Sequence, residues 1–144
     1  MTDTTTAPAQ TRTLVIEREM PHPPEKIWRA LTEGPLIEQW LMSNDFQPTV
    51  GHKFTFRSDP VQGWDGIINS EVLAVDPPSS LSYQWNSMGL GTVVLWTLTP
   101  SATGTQVRME QSGFSTENDY AYKGATYGWT NFITKLEGVV AGLA

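Results

Sequence analysis

The sequence predicts an α+β domain in which a curved antiparallel sheet wraps around one long C-terminal helix. Three observations carry that prediction. Five stretches between residues 53 and 111 alternate polar and apolar side chains with a period of two, the mark of half-buried strands. Each has a single apolar face, as an antiparallel sheet covered on one side requires. The chain then closes on residues 118–142, where apolar side chains recur at three- and four-residue steps and form the stripe of a helix that can cover such a sheet. A chain of 144 residues is one domain by length, and a domain this size buries roughly 68–70% of its unfolded surface without needing a metal or a disulfide.

The elements follow in order. Residues 1–11 are polar and unpatterned and read as a disordered lead-in to a domain over residues 12–144. Thr13 to Met20 alternates, with Leu14, Ile16 and Met20 on one side and Glu17 and Glu19 on the other, so it predicts a strand. His22-Pro23-Pro24 ends that strand, and the prolines suit the first turn of a helix over Glu25 to Leu31. Gly34-Pro35 breaks it, and a second short helix follows over Leu36 to Leu41. Strands are predicted over Lys53 to Arg57 and Gly66 to Val75, joined by turn residues Asp59-Pro60 and Gln62-Gly63. The second alternates imperfectly, which predicts a bulge. A loop over residues 76–80 leads to a two-faced strand with Leu81, Tyr83 and Trp85 on one side. Thr92 to Thr99 and Thr105 to Gln111 pair across a hairpin connection at Pro100 to Gly104. The final helix spans Asn118 to Gly142, with Tyr122, Thr126, Trp129, Ile133, Leu136 and Val140 in its stripe. Gly124, Gly128 and Gly138 each weaken it by about 1 kcal/mol relative to Ala, which predicts close packing or a bend near Gly128.

Composition excludes several function classes. The net charge is −6, and nine Lys and Arg scattered along the chain supply no basic face for nucleic acid or an anionic membrane. The absence of cysteine excludes disulfide scaffolds, thiolate zinc sites and cysteine nucleophiles, and suits a reducing cytosol. No apolar run approaches the roughly 18 residues of a membrane span, and the N-terminus lacks the pattern of a signal peptide, so the expected compartment is the cytoplasm. Six Trp, five Phe and four Tyr are many for this length, and imply either a bulky core or an aromatic-lined cavity.

The inward-facing set comprises Trp40, Phe46, Phe54, Phe56, Tyr83, Trp85, Trp96, Met109, Gln111, Phe114, Trp129 and Ile133. These side chains either fill the interior or line a small-molecule pocket whose ligand Gln111 and Tyr83 would orient by hydrogen bonds. Met42, Met88 and Leu90 lie in loops around the expected mouth, as adaptable gate residues or as loop anchors. Arg18 is in phase with Leu14 and Ile16 and is expected to snorkel at the sheet edge. His22 and His52 lack zinc-ligand spacing, and Asp59, Asp65 and Glu71 lack calcium-loop spacing. Gly89-Leu90-Gly91 precedes a strand rather than a helix, so it is a turn and not a dinucleotide loop. Ser112, Gly113 and Ser115 do not form a nucleophile elbow. No catalytic residue, metal or cofactor is expected.

Four stretches carry a resemblance to a known family. They are Arg18 with PPEKIWRALTEGPLIEQWL over residues 23–41, Gly51 with Phe54 and Phe56, VDPPSSLSYQW over residues 75–85, and GTQVRMEQSGF over residues 104–114 followed by Gly128-Trp129. In these the chain resembles the bacterial family named after the activator of the heat-shock-protein-90 ATPase, within the START-like helix-grip superfamily. Gln111 is a departure, since many relatives carry His there. The resemblance implies a helix-grip fold with an internal cavity and non-catalytic binding of a small hydrophobic or aromatic molecule by a monomer or weak homodimer. Two alternatives come with it. One is a polyketide-cyclase-like enzyme in which Tyr83, Gln111 or Arg18 orients an aromatic substrate. The other is a co-chaperone-like protein-interaction module.

Overall fold

Proline and glycine set the boundaries of the N-terminal elements. In the computed structural model, which describes residues 11–60, 64–87, 89–115 and 119–143, strand β1 (Thr11–Met20) stops before the prolines, and helix α1 (Pro24–Thr32) begins on one of them. The Gly-Pro pair predicted as a break is instead the first turn of helix α2 (Gly34–Trp40). Proline fits there because its missing N–H would have no partner in a first turn. The break falls on Glu33, whose extended backbone (φ −94°, ψ 117°) ends α1 and starts α2.

The remaining elements are β2 (Ser43–Asn44), β3 (Lys53–Arg57), β4 (Ile67–Asp76), β5 (Ser80–Ser87), β6 (Leu90–Ser101), β7 (Gly104–Ser115) and α3 (Asp119–Ala141). The strands form one antiparallel seven-stranded sheet in the order β1-β7-β6-β5-β4-β3-β2, so the first and last strands in the chain are neighbours. The fold is the predicted α+β helix-grip arrangement. β2 has no counterpart among the predicted strands, because two residues are too few to show a period. Asn44 fixes it, with Nδ2 donating to the Gly34 and Met42 carbonyls and Oδ1 accepting from the Phe46 N–H.

Two bulges set which residues face the helix. β4 slips register between Val72 and Ala74, at the imperfect alternation seen in the sequence. β7 runs four residues past its predicted end, and here Arg12 pairs with Phe114 while Thr13 pairs with Ser112. The unpaired residue is Gly113, with φ +106°, where an added Cβ would lie 3.0 Å from the Gly91 carbonyl oxygen. The extra residue resets the phase of the strand, so Gln111 and Phe114 are both buried on the helix side although they are three apart.

α3 is continuous through Gly128 and lies closest to α2, β1, α1 and β7. No helix of the described residues is long and apolar enough to cross a membrane. Residues 1–10, Gln62-Gly63 and Met88 lie outside the described residues.

Candidate functional site

The inward face of α3 changes character along its length. Trp129, Ile133, Leu136 and Val140 are bulky and fully buried, and they seal the C-terminal half of the helix against the sheet and the short helices. One turn toward the N-terminus the facing residues are Ala121, Gly124, Ala125 and Gly128. These side chains are too short to reach the sheet, and a cleft of about 510 Å³ remains between them and the strands. Its opposite wall is Ile68 of β4, Trp85 and Ser87 of β5, Leu90 of β6, and Gln111 and Phe114 of β7, with Met42, Trp64, Trp129 and Phe132 completing it. The volume lies within the range of small-molecule sites, roughly 300–1,000 Å³.

Close packing, one of the two roles that the sequence suggests for these glycines, is not what Gly124 and Gly128 serve. A Cβ built on Gly124 meets nothing within 4 Å, and one on Gly128 meets only the Phe132 ring, at 3.9 Å. Both would project into open space.

Among the described residues the cleft is apolar and uncharged: none of those that line it is Asp, Glu, Lys, Arg or His. Trp85 and Trp129 meet at a centroid distance of 5.0 Å, and Phe132 packs edge-on to Trp129 at 5.6 Å. Ser87 and Gln111 are the polar side chains of the wall. Ser87 Oγ accepts from the Trp64 indole N–H at 3.0 Å and lies 3.5 Å from the Ile67 carbonyl. Gln111 is 2% exposed and sits in a chain of hydrogen bonds. Trp129 Nε1 donates to Gln111 Oε1 at 2.7 Å, Gln111 Nε2 donates to Thr92 Oγ1 at 2.8 Å, and Thr92 donates to the Trp85 carbonyl at 2.7 Å. An indole N–H can only donate, so the oxygen of the amide must face Trp129 and its orientation is fixed.

Of the twelve predicted pocket residues, Trp85, Gln111, Phe114 and Trp129 line the cleft, with Met42 and Leu90 of the predicted gate. The other eight are buried beneath it and do not line it. Phe46, Phe54, Phe56 and Tyr83 pack against one another, largely edge to face, at centroid distances of 5.1 to 6.2 Å. Trp40 meets Trp96 edge-on at 5.7 Å and donates its indole N–H to the Ala30 carbonyl. Met109 and Ile133 are fully buried. These contacts satisfy the rings internally, which is why inward-facing side chains here make core rather than wall.

Tyr83 therefore has a different role from the ligand-orienting one expected. Its hydroxyl accepts from Trp96 Nε1 at 3.0 Å inside the core. Burial pushes the phenol well above its ordinary value, and the Trp96 hydrogen bond pulls weakly the other way. Arg18 reaches from β1 to the flank of α3, where it bonds Thr134 and pairs with Glu137 at 3.4 Å, half-exposed and away from the cleft. His52 Nε2 donates to the Asp45 backbone carbonyl at 2.9 Å, and the ring stacks on Phe54. Asp65 caps a turn by accepting from the Ile67 N–H. Among the described residues no group of three or more His, Cys, Asp or Glu is placed to hold a metal.

Trp64, Ile68, Ser87, Ala121, Gly124, Ala125, Gly128 and Phe132 were not anticipated from the sequence. The signal for the helix wall was present, since residues 121, 124, 125 and 128 are small and share one helical face. Trp64 sits among turn residues, where no periodicity marks its direction.

A family model for activator of Hsp90 ATPase homolog 1-like protein matches residues 21–141. The crystal structure of protein MLL2253 from Mesorhizobium loti is similar to this chain at 50% identity and a TM-score of 0.86, covering 92% of this chain and 99% of that one. CalU16 from Micromonospora echinospora shares the fold at 22% identity and a TM-score of 0.74, covering 95% of this chain and 82% of that one. DynU16, a protein of the dynemicin biosynthetic locus, shares it at 23% identity and a TM-score of 0.76; the match covers 90% of this chain but 47% of that longer one. No curated protein shows significant similarity to the chain.

Proposed function

This chain belongs to the family of activator of Hsp90 ATPase homolog 1-like proteins, and we propose that within it the chain is a non-catalytic binder of a small apolar or aromatic molecule, held in the cleft between the sheet and the N-terminal half of α3. One observation carries this reading: glycines line the cleft at Gly124, where an added Cβ would meet nothing within 4 Å, and at Gly128, where it would meet only the Phe132 ring at 3.9 Å. Glycine inside a helix costs about 1 kcal/mol relative to Ala. Packing does not require it at Gly124 or Gly128, and both line the cleft, which favours use of the space. The aromatic wall and the absence of charged side chains among the described residues that line it favour an apolar ligand. Ser87 is engaged with an indole N–H rather than with a base, so it is not activated as a nucleophile. We further propose a cytoplasmic monomer or weak homodimer, in keeping with a cysteine-free, acidic chain.

The test is a tryptophan-fluorescence titration with fatty acids, sterols, flavonoids and aromatic polyketides, on the natural chain and on Gly124→Leu. Trp64, Trp85 and Trp129 line the cleft and report its occupation. Leucine is a better helix former than glycine and would project into the open volume, so this variant folds and blocks the site. The expected result is a saturable change with an aromatic member of the panel that Gly124→Leu weakens at least tenfold. Saturable binding that Gly124→Leu leaves intact would move the ligand elsewhere, and no binding across the panel would sink the reading.

A further inference from the structure

We propose that the ligand is an uncharged molecule of two or three fused rings whose carbonyl oxygen accepts a hydrogen bond from the second N–H of Gln111; this deepens the reading of the cleft as a binding site and rests on it. Size comes from the volume: about 510 Å³ is roughly seventeen water volumes at about 30 Å³ each, and a molecule of about that many non-hydrogen atoms or fewer fits. A flat shape suits the walls, which Trp85, Trp129, Phe132 and Phe114 line with aromatic rings. Neutrality comes from the lining. A carboxylate or ammonium entering this cleft would lose its water and meet no counter-charge among the described residues, which is costly for any ion.

Gln111 supplies the polar recognition. Its side-chain amide has two N–H donors and an oxygen with two lone pairs. Thr92 takes one N–H and the Trp129 indole takes one lone pair. No further partner among the described residues takes the second N–H, although the side chain is buried and lines the cleft. The amide cannot turn over to offer its oxygen instead, because that would point its NH2 at the Trp129 N–H. What it has left to donate is therefore a fixed N–H, and the matching ligand group is an acceptor such as a ketone or quinone oxygen. Ser87, the other polar side chain of the wall, already accepts from Trp64.

Three probes of one ring system separate the parts of this proposal: fluorene, 9-fluorenone and fluorene-9-carboxylate, titrated calorimetrically against the natural chain and Gln111→Met. The natural chain should bind fluorenone about three- to tenfold more tightly than fluorene, the worth of one buried hydrogen bond. Fluorene-9-carboxylate should bind at least a hundredfold more weakly than fluorenone. Gln111→Met should lose the preference for fluorenone over fluorene. A second readout needs no variant: the Gln111 side-chain amide proton should shift in the NMR spectrum of the natural chain with fluorenone and stay in place with fluorene. Equal binding of fluorene and fluorenone with no such shift would overturn the role of Gln111 and leave the cleft as a binding site. Tightest binding of the carboxylate would overturn the uncharged ligand. Failure of all three probes to bind would overturn this proposal and count against the binding reading beneath it.

Discussion

Replacing Gly124 and Gly128 by Ala together should make the protein more stable and a poorer binder. The stability part follows from the helix alone. Each Gly→Ala change inside a helix is worth up to about 1 kcal/mol, because glycine loses more backbone freedom on folding. The native structure charges nothing against that gain: the Gly124 methyl would have no atom within 4 Å, and the Gly128 methyl would sit 3.9 Å from the Phe132 ring, an ordinary contact. One helical turn apart on the same face, the two changes should together gain about 1–2 kcal/mol. For a chain of this length that is a rise in Tm of about 3–6 °C. The binding part follows from where the methyl groups go. Both enter the cleft from the α3 wall, and a ligand that contacts that wall must give way to them. The assay is thermal unfolding by circular dichroism, paired with a titration using the best ligand of the fluorescence panel. A lower Tm would refute the reasoning at its root, because it would mean the glycines are needed for packing. A higher Tm with unchanged affinity would show that the ligand does not use this wall.

Two further outcomes test the supporting shell. Thr92→Val keeps the shape of a buried residue but removes the hydroxyl between Gln111 Nε2 and the Trp85 carbonyl; urea unfolding should show a loss of about 1–3 kcal/mol from the stranded polar groups, and a loss under about 0.5 kcal/mol would mean the network does not hold Gln111 in place. Tyr83→Phe should cost about 1–3 kcal/mol at neutral pH by stranding the Trp96 N–H. Because burial raises the Tyr83 phenol above its ordinary value of about 10, the folded state keeps this proton where the unfolded chain has released it. Stability from this group is fully present below about pH 10 and falls as pH rises further. Urea midpoints measured from pH 8 to 11 should therefore fall more steeply for the natural chain than for Tyr83→Phe, and parallel slopes would contradict the burial.

Much of the fold was legible because most of its elements have two chemically distinct faces. Lys53–Arg57 was predicted to the residue, since Phe54 and Phe56 alternate with polar neighbours and turn residues bound the strand. Elements that escaped lack that contrast. Ser43–Asn44 is held by side-chain bonds from Asn44 rather than by burial, so no pattern announces it. The extension of β7 to Ser115 depends on Gly113, and one glycine in a strand signals a bulge without giving its direction. Phase does reveal which side of the sheet a residue faces.

The depth of a residue below that side was not legible, and depth decides the site. Phe56 and Trp85 face the same way from neighbouring parts of the sheet and touch at a centroid distance of 5.1 Å, yet Phe56 is core and Trp85 is wall. The difference comes from what stands opposite each of them. Where α3 carries Ile133, Leu136 and Val140, the space closes; where it carries Ala121, Gly124, Ala125 and Gly128, the space stays open. Aromatic residues on the sheet are consistent with either outcome, because rings pack as well against one another as against a ligand. Small residues on the facing helix are the more telling part of the pattern, but their sequence signal has two opposite meanings. A glycine can let two elements approach closely, or it can hold a gap that neither fills. Only the atoms around the missing Cβ separate these cases, and at Gly124 there are none within 4 Å. The site is therefore specified by residues that contribute almost no contact of their own, which is why a search for chemically active side chains passes over them.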